Sequence, residues 1–286
     1  MRNIFLIFLI LLYACSSPRV EGPAGFIQIK GSDTLVNVTQ ELAEDFMKEY
    51  PYIFVAVTGG GSGVGIASLV NKTTDIATAS RKMKKKEVEM AKKRGVNPYE
   101  IVVGYDGIAI IVNKNNPVNK LTIRQLHDIY TGKIANWRKL GGDDLKIVAL
   151  SREVSSGTHL YFKEHIVQLG GTKDEFAPSV LMFSSNQTIV EEVVSNSQAI
   201  GYIGMGYLNK RVKAIAIAKK EGNSYIYPTV KQVLTKNYPL SRPLYMYTDG
   251  KPKGIIKNFI DFVLSRKGQE IFRKIGFVPL VDEETN

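Results

Sequence analysis

A regular alternation of β-rich apolar runs and amphipathic helical patterns constrains this chain most. Strand-like runs occupy residues 26–29, 53–57 and 75–79, and helical patterns begin near Thr34 and Ser62. With 286 residues, of which 44% are hydrophobic, the chain is long enough for one large domain or two of ordinary size. Alternation of this kind predicts an α/β fold with mostly parallel sheets flanked by helices.

Two extended runs divide the chain. The run 101–113 is long for a strand, and the run 238–247 contains two prolines that exclude a helix. We therefore predict two lobes with a cleft between them, residues 26–105 with 239–286 forming lobe I and residues 106–238 forming lobe II. Further predicted elements are helices at 122–130, from 156, from 186 and at 255–274, and strands at 147–150, 180–183 and 199–203.

The N-terminal segment is typical of an exported lipoprotein. Arg2 precedes an apolar run over residues 4–12, which is too short to span a bilayer comfortably. The sole cysteine, Cys15, follows this run in a context that resembles a bacterial lipobox, with an unusual Tyr13. We expect a signal peptide at 1–14, a lipid on Cys15 that anchors the chain to a membrane, and a flexible tether at 15–25. The alternative is a secretory peptide with an incidental thiol.

The chain is strongly basic, with a formal net charge of +11, which favours anionic ligands or surfaces. The basic run 81–86 has no interleaved aromatic residues and precedes a helical pattern. We interpret it as a solvated helix start, so no nucleic-acid partner is predicted. Trp137 is expected to be a packing anchor.

Catalytic and metal-binding patterns are missing from the sequence. Ser62 and Ser156 do not lie in a G-x-S-x-G motif, and the three histidines, at positions 127, 159 and 165, lack metal-ligand spacing. We expect these histidines on helix surfaces or partly buried. The sequence therefore predicts no catalytic residue, no metal and no cofactor.

The glycine-rich stretch TGGGSGVGI at residues 58–66 does not match a nucleotide-binding motif. Gly60 and Gly65 have the glycine spacing of a P-loop, but Ile66 stands where the lysine is required. The dinucleotide pattern G-x-G-x-x-G fails in every register. What remains is a strand, a glycine turn that carries Ser62, and a helix start, which suits a small anion but is weak support alone.

Recurrence strengthens the anion hypothesis. Four hydroxyl-rich helix starts each follow a strand, where open α/β sheets bind ligands, and two belong to each predicted lobe. Arginines also follow strands at Arg81 and Arg152, and a guanidinium fits two oxyanion oxygens at once. The helix starts lie at residues 31–35, around Ser62, at 155–158 and at 184–188.

These motifs resemble the phosphate-binding proteins of bacterial phosphate ABC importers, a type II periplasmic-binding-protein family. The resemblance covers nearly the whole mature chain, in order, and most closely the shorter branch of the family. It implies a two-lobed fold with the ligand in the cleft. The matching segments are GSDTL, TGGGSGVGIASL, DIATASR, GYDGIAIIVN, IYTGKIANW, SREVSSGTHLYF, QAIGYIGMGYL and FVLSRKGQEIFRKIGFVPL.

The resemblance implies a phosphate shell in this chain. Its members would be Thr34, Leu35, Ser62, Arg81, Arg152, Ser156, Gly157 and Thr158, with Ser32, Asp33, Ser80 and Asn186 as further candidates. In the best-known branch, an aspartate at the position of Arg81 accepts the proton of hydrogen phosphate. That acceptor is unassigned here, and the candidates are Asp33, Asp75 and Glu153.

The resemblance also implies a function. We expect a monomeric, extracytoplasmic, lipid-anchored protein, not an enzyme, that captures inorganic phosphate and delivers it to the permease subunits and ATPase of an ABC importer. The alternative is a surface lipoprotein of the same fold that acts as a sulfate-like oxyanion receptor, a sensor or an adhesin.

Overall fold

The computed structural model describes residues 22–280. The predicted signal peptide, Cys15 and most of the predicted tether lie outside these residues, so the lipidation hypothesis is not addressed by the fold. Within residues 22–280, no helix combines the length and apolar character needed to cross a membrane.

The predicted alternation of strands and helices is confirmed. The helices are α1 Val36–Glu49, α2 Ser62–Val70, α3 Lys85–Lys93, α4 Ile123–Tyr130, α5 Gly157–Phe162, α6 Asn186–Ser195, α7 Val230–Leu234, α8 Gly254–Leu264 and α9 Arg266–Ile275. The strands are β1 Gly25–Gly31, β2 Ile53–Thr58, β3 Ile76–Ala79, β4 Pro98–Asn113, β5 Lys120–Thr122, β6 Val148–Arg152, β7 Leu181–Phe183, β8 Ala199–Gly204, β9 Val212–Ala214, β10 Ala216–Ala218 and β11 Ser241–Asp249.

A nine-stranded sheet organises the molecule, in the order β2-β1-β3-β11-β4-β8-β6-β7, with β9 also paired to β4. Strands β1, β2 and β3 are parallel to one another, and so are β6, β7 and β8. Strands β11 and β4 join these two sets through antiparallel pairs. We call the β1–β3 side the first half of the sheet and the β6–β8 side the second half.

Strand β4, which contains the extended run predicted at 101–113, is shared by both halves of the sheet. Residues 98–107 of β4 pair with β11, and residues 108–112 pair with β8. Ala79, the last residue of β3, pairs with Tyr245, and Gly204, the last residue of β8, pairs with Ile108. The carboxyl ends of both parallel sets therefore meet near the middle of β4. The lobe boundaries themselves remain a prediction.

Two hydrophobic clusters hold the helices against the sheet. The larger cluster contains Trp137, whose Nε1 donates to the carbonyl of Gln198 at 2.9 Å, so its predicted role as a packing anchor fits. The histidine expectation was partly wrong, because His127 and His159 are buried. Burial is possible because His127 Nδ1 lies 3.0 Å from the carbonyl of Ile166 and His159 Nδ1 lies 3.2 Å from Ser151 Oγ.

The C-terminal helical segment differs from the prediction. Residues 255–274 were expected to form one helix, but Ser265 separates α8 from α9. Ser265 adopts an extended conformation, and its Oγ accepts a hydrogen bond from the N–H of Gly268, so it caps α9. A serine favours such a cap over a helix interior because its hydroxyl competes for backbone N–H groups.

Candidate anion-binding site

The structure brings three of the four predicted helix starts together. Thr34 Oγ1, which precedes α1, lies 2.9 Å from Thr158 Oγ1 in the first turn of α5. Ser62 Oγ, at the start of α2, accepts a hydrogen bond from the N–H of Ser80 at 3.0 Å. A Cβ on Gly157 would lie only 2.3 Å from Ser62 Oγ and 2.6 Å from Ser80 Oγ. These residues, from both halves of the sheet, form one buried hydroxyl cluster.

The Ser156 hydroxyl is well placed to donate to a ligand. Its oxygen accepts hydrogen bonds from the N–H groups of Thr158 and His159, at 3.1 and 3.3 Å, and so caps α5. Because the oxygen is occupied as an acceptor, its proton can point toward another oxygen. Ser156 can therefore cap α5 and still donate to a ligand.

The glycine-rich stretch serves two structural purposes. Gly61 has φ of 99°, and a Cβ there would lie 2.7 Å from the carbonyl oxygen of Ser155, so only glycine permits this approach between the halves. Gly63 N–H donates to the same carbonyl at 2.9 Å. A Cβ on Gly65 would lie 2.5 Å from Gly31 Cα, so this glycine lets α2 pack closely on β1.

Arg152 forms an ion pair with Asp33, the residue before Thr34, and its guanidinium is fixed from one side. Its Nε donates to the carbonyl of Phe183 at 3.3 Å, and its Nη2 donates to the carbonyl of Ser184 at 2.7 Å. Burial lowers the pKa of Arg152, and the nearby Asp33 carboxylate opposes this effect. Nη1 forms an ion pair with Asp33 Oδ2, at 3.1 Å, but has no hydrogen-bond partner.

The fourth predicted helix start binds a carboxylate of the chain itself. Asp33 Oδ2 accepts hydrogen bonds from the backbone N–H of Asn186, at 2.9 Å, and from its side-chain amide, at 2.6 Å. The positive end of α6 is thus satisfied by Asp33, which joins the two halves. Asp33 and Asn186 border the cluster, and Ser32 is buried beside them.

Arg81 is not brought into the cluster by any contact. Its guanidinium forms a two-pronged ion pair with Glu87 of α3, at 2.7 and 2.8 Å, and also donates to the carbonyl of Lys82. Burial raises the pKa of Glu87, but the bonds from Arg81 and the N–H of Lys84 outweigh it and leave the pKa lowered. Arg81 therefore stabilises the start of α3, and its predicted ligand role has no support from these contacts.

Other residues predicted for the site make hydrogen bonds within the chain or lie at its surface. Leu35 N–H donates to the carbonyl of Ser32 at 3.0 Å. Asp75 Oδ2 accepts the N–H of Gln28 at 2.7 Å, which fits a structural acid, and Glu153 is exposed. Of the three proposed proton acceptors, only Asp33 borders the cluster.

Sequence reasoning missed two residues, Asp106 and Arg242. Arg242 donates to Asp106 Oδ2 through Nε, at 3.1 Å, and through Nη2, at 2.7 Å. Arg242 Nη2 also donates to Thr158 Oγ1 at 2.9 Å, which connects the pair to the hydroxyl cluster. A signal existed, because charges inside strand-like apolar runs are usually buried only with a partner.

The site therefore presents donors rather than reactive groups. Among residues 22–280, the only buried side-chain nitrogens without a hydrogen-bond partner are Arg152 Nη1 and Arg242 Nη1. The same part of the chain contains no group of three or more residues arranged to hold a metal ion. Buried hydroxyls and unpartnered guanidinium donors suit a small, desolvated oxyanion.

Comparison with known families places the chain in context. Residues 16–267 match the profile of the PBP superfamily domain. The phosphate-binding protein PstS of Pseudomonas aeruginosa is 33% identical over 279 residues, which cover 92% of this chain and 85% of that protein. PstS of Borreliella burgdorferi is 30% identical over 285 residues, covering 97% of this chain and 98% of that protein.

Solved structures of phosphate-transport proteins share the fold of this chain. A phosphate ABC transporter substrate-binding protein from Clostridium perfringens, with bound phosphate, is 35% identical with a TM-score of 0.81 and covers 90% of this chain and 100% of its own. An ABC-type phosphate transport receptor from Vibrio cholerae is 33% identical with a TM-score of 0.71, covering 89% and 100%. These likenesses confirm the predicted two-lobed periplasmic-binding fold.

Proposed function

The chain belongs to the PBP superfamily and, within it, to the phosphate-binding proteins of bacterial phosphate ABC importers. On this premise, we propose that it captures inorganic phosphate and delivers it to such an importer. The observation that carries the proposal is the buried hydroxyl cluster, near which two arginine nitrogens have no hydrogen-bond partner. The bound phosphate in the Clostridium perfringens relative supports the choice of anion.

On binding, groups of the protein would replace the water molecules that hydrate the free anion. The hydroxyls of Thr34, Ser62, Ser156 and Thr158 offer donors that water would otherwise supply, and Arg152 offers counter-charge. Because these groups come from both halves of the sheet, an anion that contacts all of them favours the closed arrangement. We propose no chemical step, and no cofactor or metal is needed for this role.

Titration calorimetry tests the proposal directly. The purified protein is expected to bind phosphate at micromolar concentrations or tighter and to bind sulfate more weakly. Arg152→Met should reduce phosphate affinity at least about tenfold, since hydrogen bonds to charged groups contribute about 1.5–3 kcal/mol. Arg211→Gln is the matched control, because Arg211 pairs with Glu191 on an exposed surface. Absence of phosphate binding refutes the proposal, and equal sulfate affinity supports the oxyanion-receptor alternative.

We also propose, from the sequence, that the protein is exported and held at a membrane by a lipid on Cys15, and that it works as a monomer. Cys15→Ser should release the protein from the membrane fraction of the producing bacterium. A Cys15→Ser protein that stays membrane-bound would refute the anchor but leave phosphate capture intact.

A further inference from the structure

Asp106 and Arg242 lie where the two halves of the sheet join. They face each other in register on the antiparallel strands β4 and β11. Ile108, two residues after Asp106, pairs with the last residue of β8, so the pair sits where the carboxyl ends of both parallel sets converge. In open α/β sheets, this is the edge at which ligands bind.

The pair is buried but is not fully satisfied. Both oxygens of Asp106 are engaged, since Oδ2 accepts two bonds from Arg242 and Oδ1 accepts the N–H of Met205 at 3.0 Å. Arg242 Nη1, in contrast, has no hydrogen-bond partner, although the side chain is only 1% exposed and its Cζ lies 5.7 Å from the centroid of the Tyr161 ring. A purely structural ion pair gains nothing from an unused buried donor, because that donor bears the full cost of desolvation.

The unused donor belongs to a side chain that contacts the hydroxyl cluster. Arg242 Nη2 donates to Thr158, whose hydroxyl in turn lies 2.9 Å from that of Thr34. A Cβ on Gly204 would lie 2.8 Å from Thr34 Cγ2 and 3.2 Å from Asp106 Oδ2, so the pair and Thr34 are close neighbours. The positive charge of Arg242 also contributes, after burial, to the lowered pKa of Arg152.

Two buried guanidinium groups therefore lie near one cluster, and in each of them Nη1 has no hydrogen-bond partner, although Arg152 Nη1 is ion-paired with Asp33. An oxyanion between them would satisfy both donors and relieve their mutual repulsion. Arg81, the second arginine expected from the sequence, cannot supply that charge while Glu87 holds its guanidinium.

We propose that Arg242 is a second anion-binding arginine of this site and that Asp106 positions its guanidinium. This inference rests on the phosphate-binding function proposed above. Arg242 contacts the anion from the strand that joins the two halves, whereas the hydroxyls approach from the halves themselves. Asp106 acts only through Arg242, because its oxygens are already occupied.

Four variants separate a binding role from a structural one. They are Arg242→Met, Asp106→Asn, the double variant Asp106→Leu with Arg242→Met, and the surface control Arg211→Gln. The double variant removes both charges together, so no buried charge is left unpaired and the fold should survive. For each, calorimetry measures the dissociation constant for inorganic phosphate, and thermal unfolding without phosphate measures stability.

We expect the double variant to unfold near the unfolding temperature of the wild-type protein but to bind phosphate about 10- to 100-fold more weakly. Asp106→Asn should weaken phosphate binding when Arg242 is present. The double variant, which also lacks the Asp106 carboxylate, should bind phosphate no more weakly than Arg242→Met alone. Arg211→Gln should match wild type.

A folded double variant that binds phosphate within about threefold of wild type would overturn the proposal, because the pair would then be structural only. Equal, additive losses from the two substitutions would overturn the positioning role of Asp106. If wild type itself binds no phosphate, the proposed function fails first and this inference falls with it, so the two failures are distinguishable.

Discussion

Among single residues, Gly157 has almost no room for a side chain beside the hydroxyl cluster. A methyl group there would lie 2.3 Å from Ser62 Oγ, across the contact between the two halves. Gly157→Ala should therefore hinder closure and lower phosphate affinity about 5- to 100-fold, since overpacking costs about 1–3 kcal/mol. Calorimetry measures this loss. Gly59→Ala serves as the control, because its methyl group would meet only Val36 Cγ2, at 3.2 Å.

His159 makes stability depend on pH. Burial lowers its pKa below the ordinary value of 6.5, and the charges of Lys163 and Arg152 act in the same direction. The unfolded chain therefore takes up a proton near pH 6.5 while the folded chain does not, so this contribution to stability is complete above pH 6.5 and is lost as pH falls below it.

Urea unfolding between pH 7.5 and 5.5 checks this expectation. Wild type should lose stability over that interval, and His159→Gln should show a smaller loss. His165→Gln should behave as wild type, because His165 is exposed. A His159→Gln profile parallel to that of wild type would contradict the assignment.

Four of the predicted site residues that lie at or near the hydroxyl cluster share one local signal. Thr34, Ser62, Ser156 and Thr158 stand at helix starts after strands, which a linear sequence displays. Arg242 stands in a strand, and its partner Asp106 is 136 positions away, so their pairing depends on how β4 and β11 align. Arg81 follows a strand as Arg152 does, but only three-dimensional contacts reveal that Glu87 engages it.

At the scale of elements, the packing of α2 on β1 depends on Gly65. A methyl group at this position would lie 2.5 Å from both Gly31 Cα and the carbonyl oxygen of Lys30, which are backbone atoms that cannot move aside easily. Gly65→Ala should lower the free energy of unfolding by about 1–3 kcal/mol even without phosphate. Denaturant unfolding measures it, with Gly59→Ala as the neighbour that should change little.

Elements with a long pattern were predicted, as was the short strand β7, but several other short elements were not. Strands β1 and β2 and helix α6 were expected near their observed positions, because several apolar residues repeat with the right period. Three-residue strands such as β9 and β10 are too short to display any period. The break at Ser265 was missed because apolar residues continue in helical spacing through α8 and α9, while the cap is a single residue.

At the scale of the whole molecule, closure should be visible in hydrogen exchange. Gly63 N–H in the first half donates to the carbonyl of Ser155 in the second, so this amide is protected only when the halves meet. Phosphate should slow its exchange. Gly65 N–H bonds to Gly61 within the same turn and should change much less. Equal exchange of the Gly63 amide with and without phosphate would contradict closure on binding.

The position of β11 has a consequence for the order in which the molecule forms. This strand, residues 241–249, lies between β3 and β4 in the sheet, although it is made more than a hundred residues later. A nascent chain therefore holds an unfinished sheet until residues 241–249 have been made, because the place between β3 and β4 stays empty. If the protein is exported as proposed, late completion would favour a chain that is still unfolded when translocation begins.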